Sequence, residues 1–147
     1  MSAVEAQGLF FLDTDIFAYS FDSMSLQKQG IALALIHQAL QSQRGVISTQ
    51  VIQEFLNVGL RKFPQPLSLI EARTYLHAVL LPLCVHFPSA PFYERAILLQ
   101  AETGYSWYDA LIVTAALELG CSNLFSEDLQ HDRVIQGMVI GNPFYLG

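Results

Sequence analysis

Leu9-Phe10-Phe11-Leu12-Asp13-Thr14-Asp15 is the stretch that decides the fold. Four apolar residues run without alternation, and the chain then turns acidic at once. A continuous apolar run bounded by polar residues suits a strand covered on both faces, as in a parallel sheet. In open sheets of that kind, ligands gather just past the carboxyl ends of the strands. Asp13 and Asp15 stand at such an end. A carboxylate there is either solvated or committed to a metal, a base or a phosphate partner. The rest of the chain is therefore read for other carboxylates able to reach the same spot.

Outward from that strand, expected over 9–13, residues 1–8 form a short lead-in. Asp22, Ser23 and Ser25 make a polar break. The apolar spacing of Ile31, Leu35 and Ala39, with Leu33, Ile36 and Leu40, predicts a helix over 26–43, ended by Arg44-Gly45. Val46-Ile47-Ser48 reads as a second strand. Ser48 or Thr49 is placed to cap a helix over 49–62. Ser68-Leu69-Ile70-Glu71 is a capping box that opens a helix to Leu80, with Pro82 expected to stop it. Cys84-Val85-His86-Phe87 reads as a third strand. Helices follow from Ser89 to Thr103 and from Ser106 to Leu119, each closed by a glycine. Asn123-Leu124-Phe125-Ser126 is a fourth strand, and Val134 to Ile140 contains a fifth, interrupted by Gly137. Strands alternating with helices imply one α/β domain over 1–147, a three-layer α/β/α sandwich around a mostly parallel central sheet.

Composition agrees with a buried sheet: 52% of the 147 residues are hydrophobic and 14% charged. No apolar run approaches the ~18 residues of a membrane span, and Met1-Ser2-Ala3-Val4-Glu5 lacks a secretory n-region, so a cytoplasmic protein is expected. Two cysteines, Cys84 and Cys121, are too few for a disulfide framework and read as buried free thiols. The net charge of −6, with seven Lys and Arg, argues against broad non-specific nucleic-acid binding, which rests on phosphate neutralisation. A gathered set of carboxylates around a divalent ion would invert that field locally.

Four carboxylates fit one rim of such a sheet. Asp13 and Asp128 end strands. Glu54 and Asp109 lie in the first turns of helices that follow a strand or a tight turn. Asp109 sits in a helix that is apolar nearly all round, where a lone charge costs several kcal/mol unless paired or bound. Ser106-Trp107-Tyr108-Asp109 is also a capping-box pattern, so a cap role stands beside a site role. Glu54 by itself suits a solvated boundary, and Asp128 a turn. Together the four would repel strongly, and oxygen-liganded Mg²⁺ or Mn²⁺ would relieve the repulsion.

Phe11-Leu12-Asp13-Thr14, Ser48-Thr49-Gln50-Val51-Ile52-Gln53-Glu54-Phe55, Tyr105-Ser106-Trp107-Tyr108-Asp109-Ala110-Leu111-Ile112 and Leu124-Phe125-Ser126-Glu127-Asp128 resemble the motifs of the PIN domain family, most nearly its VapC-like toxin ribonucleases. The resemblance covers essentially the whole chain, with the motifs in family order and spacing. It implies hydrolysis of RNA phosphodiesters with Mg²⁺ or Mn²⁺ held by Asp13, Glu54, Asp109 and Asp128, and supported by Thr14 and Ser126. Asp13 and Asp109 would be the main ligands, Glu54 and Asp128 outer or second-metal ligands. It further implies a toxin restrained by a small antitoxin, and a homodimer. Two positions depart from the family. Asp15 stands where Asn or Ser is common, so the site is more acidic than usual. His131-Asp132 stands where a glycine often follows. Asp15 is expected on the opposite side of the turn from Asp13, or as a residue that tunes the site.

Two other readings start from the same residues. Asp13-Thr14-Asp15 also resembles the aspartyl-phosphate motif of haloacid-dehalogenase-type phosphatases, with Asp13 as nucleophile and Asp15 as acid/base. That class needs a lysine near a later strand end, and the only lysines, Lys28 and Lys62, are not well placed. The other is a non-catalytic PIN-like binding module, which the few basic residues favour and the intact acid set disfavours. His131 reads as a solvated loop histidine or a proton donor near Asp128. His37, His77 and His86 show no zinc spacing. Trp107 and Tyr108 suit either core packing or stacking on a base.

Overall fold

β1 spans Phe10–Leu12 with all three side chains fully buried, in a computed structural model that describes residues 8–145. The lead-in expected over 1–8 lies, apart from Gly8, outside the described residues. β2 (Gly45–Ser48) pairs parallel on one side of β1, and β3 (Cys84–His86) lies beyond it. β4 (Asn123–Phe125) pairs parallel on the other side. β5 (Val134–Ile135) and β6 (Met138–Gly141) complete a six-stranded sheet of order β3-β2-β1-β4-β6-β5, with only β5 antiparallel. The single strand expected over 134–140 is thus a hairpin. Gln136 and Gly137 both take positive φ, 49° and 87°, as a two-residue turn between tightly twisted strands requires. Gly137 folds the chain back rather than interrupting a strand.

The helices are α1 (Thr14–Tyr19), α2 (Leu26–Ser42), α3 (Thr49–Arg61), α4 (Leu69–Tyr75), α5 (Leu81–Leu83), α6 (Ala90–Thr103) and α7 (Trp107–Glu118). α1 is not foreseen in the sequence reading. Between α4 and α5 the chain makes a π-helical turn, Leu76–Leu80. Pro82 therefore does not stop the helix. It occupies the first turn of a fresh helical segment, where a missing N–H costs nothing, and the wider π turn absorbs the change of register.

From β1 to β3 the strand order advances in one direction. The chain then returns past β1 to place β4 on its far side. Right-handed crossovers put α1 to α5 on one face and α6 with α7 on the other, which makes the three-layer sandwich. Phe10, Phe11 and Leu12 sit at its centre, with Phe17 and Phe55 packed edge to face at 6.4 Å on one side. The reversal of direction opens a crevice at the carboxyl ends of β1 and β4, the place where open α/β sheets bind ligands.

Candidate active site

At the end of β1 the Asp13 amide donates to the Phe125 carbonyl at 3.0 Å, extending the parallel ladder by one rung. The chain then turns directly into α1. Asp13 is the N-cap of that helix, and its Oδ1 accepts from the Thr14 amide at 2.7 Å. Oδ2 accepts from the Ser126 hydroxyl at 2.7 Å. Ser126 in turn accepts from the Asp128 amide at 3.2 Å. One buried hydroxyl thereby ties the end of β1 to the loop after β4. Asp15 reaches the same loop, its Oδ2 accepting from the Glu127 amide at 2.9 Å. Oxygens of Asp13, Asp15 and Asp128 all lie within 4.8 Å of one another.

Asp15 is therefore not on the opposite side of the turn. The physical reason is α1. Side chains at an N-cap and in the first helical turn both lean toward the helix N-terminus, so residues 13 and 15 converge. The orphan amides and dipole at that end favour negative charge.

Glu54, in α3, accepts from the Thr14 hydroxyl at 2.8 Å, which joins it to the cluster through one residue. Its other oxygen accepts from the Gln50 side chain at 3.3 Å, and Gln50 also donates to the Tyr108 carbonyl at 3.1 Å. That bond fastens the start of α7, and with it Asp109, to the same rim. Ser106 caps α7 by accepting from the Asp109 amide at 3.3 Å. Among the described residues the Asp109 carboxylate returns no bond to the Ser106 amide, so the capping box is only half made. Ser68 and Glu71, by contrast, complete theirs. Among the described residues the tight group is Asp13, Asp15 and Asp128, with Asp109 close enough to act on Asp128.

Crowding shows in the acidities. Burial pushes Asp13 up to about 6, against the hydrogen bonds from Ser126 and Thr14 and with the charges of Glu54 and Asp128. Burial, then the charge of Asp13, pushes Asp15 further, to about 8. Partial burial, then Asp109 and Glu127, raises Asp128. Asp15 Oδ1 is buried with no hydrogen-bond partner. Buried acceptors are almost always satisfied, and this one belongs to a carboxylate grouped with those of Asp13 and Asp128. Hard oxygen donors of net negative charge around an unsatisfied acceptor fit Mg²⁺ or Mn²⁺.

Sequence reasoning missed the neighbour of this group. Glu127 forms an ion pair with Lys28 at 2.6 Å and accepts from the Tyr19 hydroxyl at 2.6 Å. Lys28 therefore serves Glu127, and among the described residues the Asp13 carboxylate is bonded by Thr14 and Ser126 and by no lysine. His131 is a structural loop residue: its Nδ1 accepts from the Asn142 amide at 2.9 Å, and its ring stacks on Tyr145. Trp107 and Tyr108 are exposed, 37% and 65%, so they do not pack the core. Ser48 occupies the N-cap of α3, yet its buried hydroxyl makes no cap bond. Cys84 and Cys121 are free, but only Cys121 is buried.

The model of the PIN domain family matches residues 10–136. The chain belongs to the PIN domain family. Among solved structures, the fold is similar to a chain of a toxin-antitoxin complex from Klebsiella pneumoniae, with TM-score 0.61 and 23% identity over 91% of this chain and 97% of that one. It is similar to VapBC2 from Rickettsia felis, bound to a DNA fragment from its promoter, with TM-score 0.62 and 18% identity over 91% and 98%. It is also similar to VapC20 of Mycobacterium tuberculosis, a sarcin-ricin loop cleaving toxin, with TM-score 0.54 and 22% identity over 81% and 91%. No curated protein matches the chain. Among the described residues, no helix is long and apolar enough to cross a membrane.

Proposed function

We propose that this protein is a divalent-metal-dependent endoribonuclease, the toxin of a toxin–antitoxin pair acting in the cytoplasm. The observation that carries the reading is the convergence of Asp13, Asp15 and Asp128 at the crevice between β1 and β4. Those three carboxylates would hold Mg²⁺ or Mn²⁺, with Glu54 and Asp109 flanking them as outer ligands. When bound, the cation supplies an activated water and charge stabilisation at the scissile phosphate. Ser126 holds Asp13 and the Asp128 loop in register, and Thr14 orients Glu54. The cation also explains how a chain of net charge −6 would take a polyanion: the attraction is local to the rim.

The solved structures in which similar chains sit with antitoxins support a small antitoxin as partner. A homodimer is supported by apolar side chains left in solvent on the β3 edge and on α6, Val85, Phe87, Tyr93, Ile97 and Leu98. Sedimentation at micromolar concentration is expected to give a dimer; a single 16.4 kDa species would count against it. The activity is tested by incubating pure protein with mixed RNA, with Mg²⁺ or Mn²⁺ and with chelator, and sequencing the ends produced. Metal-dependent internal cuts are expected.

A further inference from the structure

A cleft of about 850 Å³ runs from Asp15 and Asp128 to the turn at Phe63–Leu67, passing along the end of α1 and the loop that follows it. The acid cluster uses only one end of it. Phe21 and Phe63, tilted by 35° with ring centroids 5.6 Å apart, form an aromatic wall. Pro64 and Pro66 stiffen the turn that carries Phe63, and Met24 lines the cleft 88% exposed. An aromatic wall beside an exposed thioether is a surface on which one planar ring can stack.

Five carboxylates dominate the polar lining, beside Tyr19, Ser23 and Gln65; among the described residues it carries no Lys or Arg itself, and the cation at its edge, Lys28, is paired with Glu127. Asp22 gives one oxygen to the Met24 amide at 3.0 Å, and Glu71 gives one to the Ser68 amide at 2.9 Å. Glu71 is held by its capping box, whereas Asp22 keeps a second oxygen that can accept. Such a cleft repels phosphate and accepts N–H donors. A duplex would hide its base edges and bring phosphates against these acids. An unpaired base whose edge carries an amino group fits both wall and lining: its ring meets the aromatics and its N–H groups meet a carboxylate, whereas the single edge N–H of uracil lies between two carbonyl oxygens that a carboxylate repels.

We infer that this cleft is the base-reading subsite of the enzyme, taking an unpaired adenine, guanine or cytosine next to the phosphate held at the acid cluster. It rests on the nuclease reading and adds to it a source of sequence preference. Cleavage and binding are measured together so that the two can fail separately. Cut sites in mixed RNA are expected to favour an amino-bearing base at one position beside the cut. Asp22→Asn keeps the bond to Met24 and adds a donor, so it should shift that preference toward uracil. Met24→Ala, at an exposed position that folding does not need, should raise KM about tenfold, the order of one lost stacking contact, with kcat little changed. In parallel, short unpaired oligoribonucleotides of each base are titrated into metal-free protein while the Met24 methyl and Phe63 ring are followed by NMR. Shifts with amino-bearing sequences and none with duplex RNA support the subsite, even if the wild type cuts nothing and the nuclease reading alone falls. An unchanged cut-site preference in Asp22→Asn together with an unchanged KM in Met24→Ala overturns it. So does a Met24 methyl that no oligonucleotide moves, or a cleft that takes an amphipathic peptide and no RNA.

Discussion

Ser126 is fully buried, and both of its hydrogen-bonding roles are filled by the acid rim. It shows how little of a site can rest on charge alone: Asp13 and Asp128 meet because one hydroxyl accepts from a backbone amide and donates to a carboxylate. Asp15 completes the arrangement through the Glu127 amide. Asp15→Asn keeps an oxygen for that amide and cannot ionise, so the metal-free protein should be as stable as wild type or more so, increasingly as pH rises toward 8. Asp15→Ala leaves a buried donor unmet and should cost about 1–3 kcal/mol, read from urea denaturation of the two variants. Asp13 and Asp128 were legible as acids at strand ends, and Glu54 and Asp109 as acids at helix starts. Asp15 was not, because two residues past a strand end give no direction until it is known that a helix begins at Thr14. The Glu127–Lys28 pair joins positions 99 apart in sequence, and no local pattern announces it.

At the scale of elements, the strands and long helices follow from apolar runs, period and capping residues, and they lie close to where those signals put them. The misses have local causes. α1 is six residues long, too short for its periodicity to be read. The β5–β6 hairpin hides behind a glycine that looks like a breaker. The π turn before Pro82 has no pattern of its own. Glycine roles differ in the same way. A Cβ at Gly45 would stand 2.1 Å from the Ala39 Cβ, because β2 starts directly under the end of α2. A Cβ at Gly137 would meet nothing, and only its φ of 87° resists substitution. Gly45→Ala should therefore cost about 3 kcal/mol or more through overpacking, and Gly137→Ala about 1 kcal/mol through backbone strain. Denaturant midpoints of the two variants check the order; equal costs would mean that the α2–β2 contact is looser than described.

Across the whole molecule, seven basic residues balance thirteen acidic ones, and the most strained part of that imbalance is concentrated at one crevice. Asp13 and Asp15 have folded-state pKa values raised to about 6 and about 8, above the ordinary 3.8. The folded protein then holds protons that the unfolded chain gives up. Stability from these groups is full below about pH 4 and is lost as pH rises through the folded values. Metal-free protein should thus melt at progressively lower temperature between about pH 5 and pH 8.5. Millimolar Mn²⁺ should raise the melting temperature most at the upper end, because it binds the ionised, folded site. Scanning calorimetry at several pH values, with Mn²⁺ and with chelator, checks both signs.

The central claim is that Asp13 acts on RNA by helping to hold a cation, not as a covalent nucleophile with Asp15 as its acid. Its most direct test is the rate of RNA cleavage in Mg²⁺ by wild type, Asp13→Asn and Asp15→Asn, each first shown to be folded. The account predicts that Asp13→Asn loses nearly all cleavage. Asp15→Asn, which keeps an oxygen for the Glu127 amide and leaves Asp13 and Asp128 to hold the ion, should stay within about tenfold of wild type, a barrier change of ~1.4 kcal/mol. A phosphoenzyme on Asp13, or an Asp15→Asn protein as inactive as Asp13→Asn, as loss of a general acid worth about 10²–10⁴-fold would make it, would contradict the account.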